Sequence, residues 1–347
     1  MKLLVFTQKV DKEDDILGFF HNWLEKLARN FDLLNVICLQ LGTYSLPQNV
    51  KVSSLGKETG QLKVKSFFIF YKYIFRLRKE YEVVFVHMNP IYVVLGGIFW
   101  KVGKKKICLW HNHKKGNFIT KLAIKMSDVV FYTSPFSFAA KYKKSKVMPV
   151  GIDTDIFKKE EGIEETQNLI LYLGRISSVK NIDILIEAVS VLKKKEVSFV
   201  LNIVGEPGEK DKEYFEKIKE LSRGSKKINF LGKVPNYQTP GIYNKAKVFV
   251  NLTQTGSFDK TTLEAMACER MVVVSNPVFD NIFSEEQKTF FMCKEKDSQD
   301  LTDKLSKILN MSLEQQIFFG KELRKIVVKH HNLDKLVGEI IKWMKFY

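Results

Sequence analysis

The stretch LILYLGRISSVKNIDILIEAVSVLKKK, residues 169–195, changes character halfway. LILYLGR opens as an unbroken apolar run, which suits a strand buried on both faces. NIDILIEAVSVLKKK has its apolar residues spaced for one face of a helix. The turn between them carries Gly174 and Arg175 directly after the strand and Lys180 just before the helix. A glycine allows close backbone approach, and two cations beside a helix N-terminus form a site for a diphosphate. Plain surface charge is the alternative for the two cations, but the place of Arg175 directly behind a buried strand favours the site.

The same strand-then-helix unit recurs in both directions. Upstream, KLLVFTQ, LLNVICLQL, VVFVH, KKICLWHNH and DVVFYTS read as strands, with helices over ILGFFHNWLEKLARN, 66–80, 91–100 and 117–126. Downstream, SFVLNIVG, INFLG, KVFVNL and MVVVSN read as strands, with helices over EYFEKIKELSR, 240–246 and 261–269. This order implies an α/β chain of parallel, doubly wound sheets. VMPVGIDTDIF (147–157) and the polar KKEEGIEETQN after it interrupt the alternation, so the domain boundary is placed there. The expected division is one Rossmann-like domain over 1–150, a second over 151–330, and a helical segment, 331–347, that crosses back to the first. Two such domains in tandem are expected to leave a cleft, with ligands at the carboxyl ends of the strands.

Composition narrows the function classes. Hydrophobic content of 45% indicates a folded globular chain, and 347 residues suit two domains. Cys38, Cys108, Cys268 and Cys293 lie far apart, so neither a disulfide framework nor a zinc site is signalled. MKLLVFTQKV has the pattern of a first strand rather than a secretory leader, which points to the cytoplasm. Val83 to Trp100 contains no Asp, Glu, Lys or Arg, yet His87, Asn89 and Pro90 in its middle make strand, turn and helix the better parse than a membrane span.

Charge is uneven. Residues 1–150 hold 25 Lys and Arg against 10 Asp and Glu, which leaves almost all of the net +17 in that half. LKVKSFFIFYKYIFRLRKEY (62–81) mixes those cations with aromatics, and WKVGKKK (100–106) is a second cluster. A basic amphipathic helix of this kind fits an anionic membrane surface. A helix with a core-facing aromatic side and solvated lysines is the alternative. Nucleic acid is disfavoured, because no recognised binding motif accompanies the charge.

A second candidate site is TGSFDKTTLEAMACER (255–270), a loop running into a helix behind the strand VFVNL. Glu264 stands there among Leu263, Ala265, Met266 and Ala267, where an unpaired charge would be costly. Thr261 or Thr262 is expected to cap the helix, and the N–H groups of its first turn, Lys260 to Leu263, suit phosphate oxygens. A carboxylate one turn in can accept hydrogen bonds from two adjacent sugar hydroxyls, as on a ribose.

LYLGRISSVKNIDILIEAV, INFLG, Tyr243–Ala246, LEAMA and VGIDTDIF together resemble the retaining GT-B glycosyltransferases of the GT4 group. VDKEDDILGFFHNWLEKLA and HHNLDKLVGEII extend the resemblance over nearly the whole chain. It implies a nucleotide-diphosphate-sugar donor, UDP- or GDP-linked, held by the C-terminal domain, and a glycan or lipid-linked acceptor held by the N-terminal one. By position it implies that Arg175 and Lys180 contact the diphosphate, Glu264 the ribose, Gly205 the nucleotide pocket, and Gly18 a loop near the diphosphate. The group's first glutamate falls at Gly256, and Asp259 is the nearest carboxylate that could replace it. The resemblance also expects a histidine near the end of the fourth strand, which His113 fits better than His111; His87 and His111 are further candidates for acceptor or sugar contact, and a hydrogen-bonded structural histidine is the alternative, above all for His111. No Asp-x-Asp pair stands behind a strand, so no metal is expected, and the developing charge falls to Arg175, Lys180 and helix N-termini. The sequence reading is thus a peripheral sugar transferase at the inner membrane face; a GT-B protein that binds nucleotide or nucleic acid without transfer is the alternative.

Overall fold

A computed structural model describes residues 1–254 and 256–345. The chain begins β1 (Lys2–Val10), α1 (Phe19–Ala28), β2 (Leu33–Leu41), β3 (Val50–Ser54), α2 (Lys63–Leu77), β4 (Val83–His87), α3 (Ile91–Val102), β5 (Lys106–Trp110), α4 (Phe118–Met126), β6 (Val129–Tyr132) and β7 (Ser145–Val147). It continues with β8 (Leu169–Leu173), α5 (Ile182–Lys194), β9 (Val200–Val204), α6 (Lys212–Leu221), β10 (Ile228–Phe230), α7 (Thr239–Lys245), β11 (Val248–Asn251), α8 (Lys260–Ala267) and β12 (Met271–Val274). Four helices close it: α9 (Glu285–Phe291), α10 (Ser298–Leu309), α11 (Leu313–His330) and α12 (Leu333–Lys345). One compact unit comprises Met1–Gly151 with α12, and the other comprises Ile152–Asn332.

The first unit is a seven-stranded parallel sheet in the order β3-β2-β1-β4-β5-β6-β7. Alternate strand residues serve opposite faces, as the two-residue period requires. Leu4, Phe6, Val84, Val86, Ile107 and Leu109 pack with α2, α3 and α4 on one face. Leu3, Val5, Phe85, Cys108 and Trp110 pack with α1 and α12 on the other. Burying such side chains contributes about 1.5–3 kcal/mol each, so both helix layers are held mainly by their apolar stripes. The stretch from Val83 to Trp100 is β4, a turn and α3; among the described residues no helix is long and apolar enough to cross a membrane.

Sequence and structure differ here in instructive places. β3 and β7 carry no strand pattern, because both lie at sheet edges, are short and are incompletely buried. The helix expected over 66–80 spans Lys63–Leu77, without a side-chain cap to mark its start. The strand expected to run through His113 ends at Trp110.

The second unit is a five-stranded parallel sheet in the order β10-β9-β8-β11-β12. Chain order reverses between β8 and β11, which makes their carboxyl ends the switch point where a sheet of this kind offers its crevice. α8 is buried along almost its entire length behind that crevice. Arg324 of α11 donates to the carbonyl of Ala267 at the end of α8, at 2.5 Å, and also to Phe157 O and Thr154 O at 2.9 and 3.1 Å. α9 was not anticipated, although Ser284 and Gln287 form a reciprocal capping box at its start.

Candidate functional site

The crevice of the second unit is bounded by the loop after β8 and the loop after β11. Gly174 follows β8 with φ +148°, and Gly205 follows β9 with φ +138°. A Cβ on Gly205 would lie 2.0 Å from the Gly174 carbonyl oxygen, so only glycine lets these two loops approach so closely. Tyr172 donates its hydroxyl to Arg175 O at 2.8 Å and steadies the turn. The Arg175 side chain is exposed, and among the described residues its guanidinium makes no hydrogen bond or ion pair. Lys180 is half-buried before α5, and Asn181, with φ +50°, donates to Leu252 O at 2.9 Å, which ties the two loops together.

The Lys180 ammonium is ion-paired with Asp259. Burial pushes the Asp259 carboxyl up, but the Lys180 charge outweighs it and holds the group below the usual carboxylate range. Asp259 is also the residue preceding α8. The expected threonine caps are therefore corrected: Thr261 and Thr262 lie inside the first turn, because the helix starts at Lys260. Thr261 accepts from Asn251 Nδ2 at 3.4 Å, and the Thr262 N–H is taken by the Asp259 carbonyl at 3.2 Å. Leu263 is a fully buried core side chain, which leaves only its main chain for contact with a ligand.

Glu264 is 3% exposed, and the protein itself supplies its partners. Its Oε2 accepts from Tyr243 Oη at 2.9 Å and its Oε1 accepts from Asn236 Nδ2 at 3.4 Å. Burial raises its carboxyl above the usual range, opposed by the Lys260 charge one turn earlier, and the same burial lowers Lys260. Gly256, in place of the expected glutamate, has φ +71°, a conformation that strains any side chain bearing a Cβ. Thr255 beside it lies outside the described residues.

The histidines of the first unit separate by burial. His113, three residues beyond β5, is exposed, and its Nδ1 accepts the Lys115 N–H at 3.0 Å, which leaves Nε2 for other partners. His111 is buried, and desolvation, with His113 nearby, pushes it down to about 4, so it is neutral at ordinary pH. His87 is stacked on Phe20 with ring centroids 4.0 Å apart and lies 3.2 Å from Thr7 Oγ1. His87 and His111 are thus both buried in this unit, and the Nδ1 of His111 has no hydrogen-bond partner among the described residues. Gly18 caps α1 with an ordinary φ of −55°, so its backbone does not require glycine. The loop before it is held by Asp14, which accepts from Leu17 N at 2.6 Å, Ile16 N at 2.9 Å and the Lys9 ammonium at 2.5 Å.

Sequence reasoning passed over Tyr243, Asn236 and Asn181 as site builders. Only Asn181, a polar residue directly before an apolar-periodic helix, carried a local signal. Among the described residues no group of three or more His, Cys, Asp or Glu could hold a metal ion.

Two Rossmann-like units with parallel sheets of seven and five strands define a GT-B protein. Residues 153–326, half of the chain, match the family "Glycosyl transferases group 1", and the chain belongs to that family. It is 29% identical over 138 residues to an alpha-monoglucosyldiacylglycerol synthase of Acholeplasma laidlawii, covering 40% of this chain and 34% of the relative. It is 22% identical over 184 residues to a poly(ribitol-phosphate) alpha-N-acetylglucosaminyltransferase of Staphylococcus aureus, covering 53% of this chain and 36% of the relative. The chain thus spans about a third of the length of the curated relatives it matches. The fold is similar to that of Anabaena HepE, solved in complex with UDP and glucose, with a TM-score of 0.78 at 15% identity over 100% of both chains.

Proposed function

We propose that this protein is a retaining, metal-independent glycosyltransferase that moves a sugar from a UDP- or GDP-linked donor to a lipid-linked or surface-glycan acceptor at the cytoplasmic face of a membrane. The observation that carries the reading is the pairing of Lys180, just before α5, with Asp259, just before α8, at the switch point between β8 and β11, with Arg175 in the loop that follows β8. Two cations and a helix N-terminus at a topological switch point suit a diphosphate. The Glu264 carboxylate, already oriented by Tyr243 and Asn236, retains acceptor capacity for a ribose. Glycines at 174 and 205 allow the nucleotide close to the backbone.

In the transfer, the acceptor oxygen bonds to the anomeric carbon as the bond from that carbon to the diphosphate oxygen breaks. The acceptor proton passes to the leaving diphosphate on the same face, which keeps the configuration. Arg175 and Lys180 stabilise the charge developing on the diphosphate. Asp259 is engaged by Lys180, which disfavours it as a covalent nucleophile. When the diphosphate takes Lys180, Asp259 is released to meet a donor-sugar hydroxyl. His113, with Nε2 unencumbered by the Lys115 contact, is assigned to charge or hydroxyl recognition. The lipid or glycan acceptor is suggested by the names of the Acholeplasma and Staphylococcus relatives, and UDP by the HepE complex.

Calorimetric titration with UDP, GDP, ADP and dTDP, each in EDTA and beside Arg175→Ala, tests this reading. Selective binding that is lost in the variant is the expected result; no binding to any of them would overturn it. Gly256 favours one competing reading, a GT-B protein that binds nucleotide without transferring sugar. Normal nucleotide binding without turnover of any nucleotide sugar would select that reading.

A further inference from the structure

The helix layer formed by α2, α3 and α4 covers one face of the first unit's sheet. None of the three helices contains an Asp or Glu, and together they hold seven Lys and Arg. The opposite layer is mixed, with Glu25 on α1 and Asp334 and Glu339 on α12.

The acid-free layer also leaves large apolar groups in water. Phe67 and Tyr71 of α2 have ring centroids 4.9 Å apart, Tyr71 and Phe99 of α3 5.6 Å, and Phe99 and Phe75 5.1 Å, which makes a ridge of rings along the two helices. Beyond the ridge, Val64, Phe68, Ile98 and Phe118 are 66–77% exposed. Tyr71 donates to Leu95 O at 3.1 Å, so the ridge is fixed to α3 rather than free to fold away. Of the second basic cluster, Lys105 is already committed to the Tyr81 carbonyl at 2.5 Å, and Lys106 is lowered by desolvation, so α2 and the exposed Lys101 and Lys104 carry most of the accessible charge.

We propose that the α2–α3–α4 face docks on a lipid bilayer bearing anionic headgroups, with Val64, Phe68, Ile98 and Phe118 entering the interface and Lys63, Lys65, Lys72 and Arg76 meeting the headgroups. This deepens the membrane part of the function proposed above and rests on that part alone. Charge complementarity selects the occupant. A second copy of the same face would bring cations against cations, with no acid from any of the three helices on either side. A polyanion would pair with the lysines and leave the aliphatic tips in water. An anionic bilayer satisfies both sets at once.

The test uses the full chain in sedimentation with vesicles of phosphatidylcholine alone and of phosphatidylcholine with phosphatidylglycerol. Binding to the anionic vesicles is expected. The exposed double variant Phe68→Ser/Phe118→Ser should weaken it about tenfold. Lys63→Gln/Lys65→Gln should weaken it comparably and flatten its salt dependence. Lys193→Gln/Lys194→Gln on α5, in the other unit, should leave it unchanged. No sedimentation with anionic vesicles would overturn the proposal. So would vesicle binding that Phe68→Ser/Phe118→Ser leaves intact while single-stranded oligonucleotide competes it away, which would assign the face to a polyanion. A concentration-dependent dimer abolished by the same double variant would assign it to a second copy instead. UDP titration of each variant separates the two readings: vesicle binding without UDP affinity sinks the transferase and leaves the docking face standing.

Discussion

Asp259→Asn separates the two tasks assigned to the residue. In the free protein its carboxylate occupies the Lys180 ammonium, with the two side chains 21% and 16% exposed. Two unit charges at 4 Å interact by about 4 kcal/mol at an effective dielectric constant near 20. Both groups keep some water, and a partly exposed pair retains only a fraction of that figure, about 1 kcal/mol. A diphosphate that takes Lys180 must displace Asp259 and also meets its negative charge. The asparagine is nearly isosteric and removes both costs. UDP alone should therefore bind about fivefold tighter to Asp259→Asn than to the native protein, since about 1 kcal/mol is a factor of about five. Turnover of the nucleotide sugar should fall, because the hydroxyl acceptor is lost. Calorimetry with UDP and a coupled UDP-release assay read the two halves. Weaker UDP binding in Asp259→Asn would refute the displacement argument and make Asp259 a residue that positions Lys180 for the donor.

Other changes probe the supports of the same crevice. Tyr243→Phe removes the donor to Glu264 Oε2 in a buried place and should destabilise the second unit by about 1–3 kcal/mol, read by urea unfolding. Glu264→Gln should weaken nucleotide binding even with no sugar attached; an effect confined to the sugar portion would remove the ribose role. Gly205→Ala drives a Cβ to 2.0 Å from the Gly174 carbonyl at a φ of +138°, so nucleotide affinity should be lost with a fall in Tm. Burial pushes the Asp14 carboxyl up, but Lys9 and the Leu17 and Ile16 N–H groups outweigh it and hold it below the usual carboxylate range. That contribution is fully present above the unfolded value of about 3.9 and is lost as pH falls through the lower folded value. Hydrogen exchange over residues 11–18 should thus rise in acid beyond its intrinsic pH dependence, and Asp14→Asn should remove that excess.

Most of the strand and helix order was legible because buried parallel strands and one-sided helices leave periodic apolar patterns. LILYL, VVFVH and MVVV stand in the sheets where their runs place them, whereas the edge strands β3 and β7 left no such pattern. The candidate site was legible as residue types at strand ends: Gly174, Arg175, Lys180, Asp259 and Glu264. Their partners were not.

What the sequence determined by itself was local: alternation, the glycines where the chain turns tightly, and the gathering of cations without acids along α2, α3 and α4. Which charges neutralise one another was decided only in three dimensions. Lys180 and Asp259 are 79 residues apart, and Glu264 meets Tyr243 across 21 residues through a different helix. The same is true of His87, on whose ring Phe20, brought over by α1, is stacked. Side-chain pairing depends on distances that strand order and loop approach create, and a one-dimensional pattern carries the strands but not those distances.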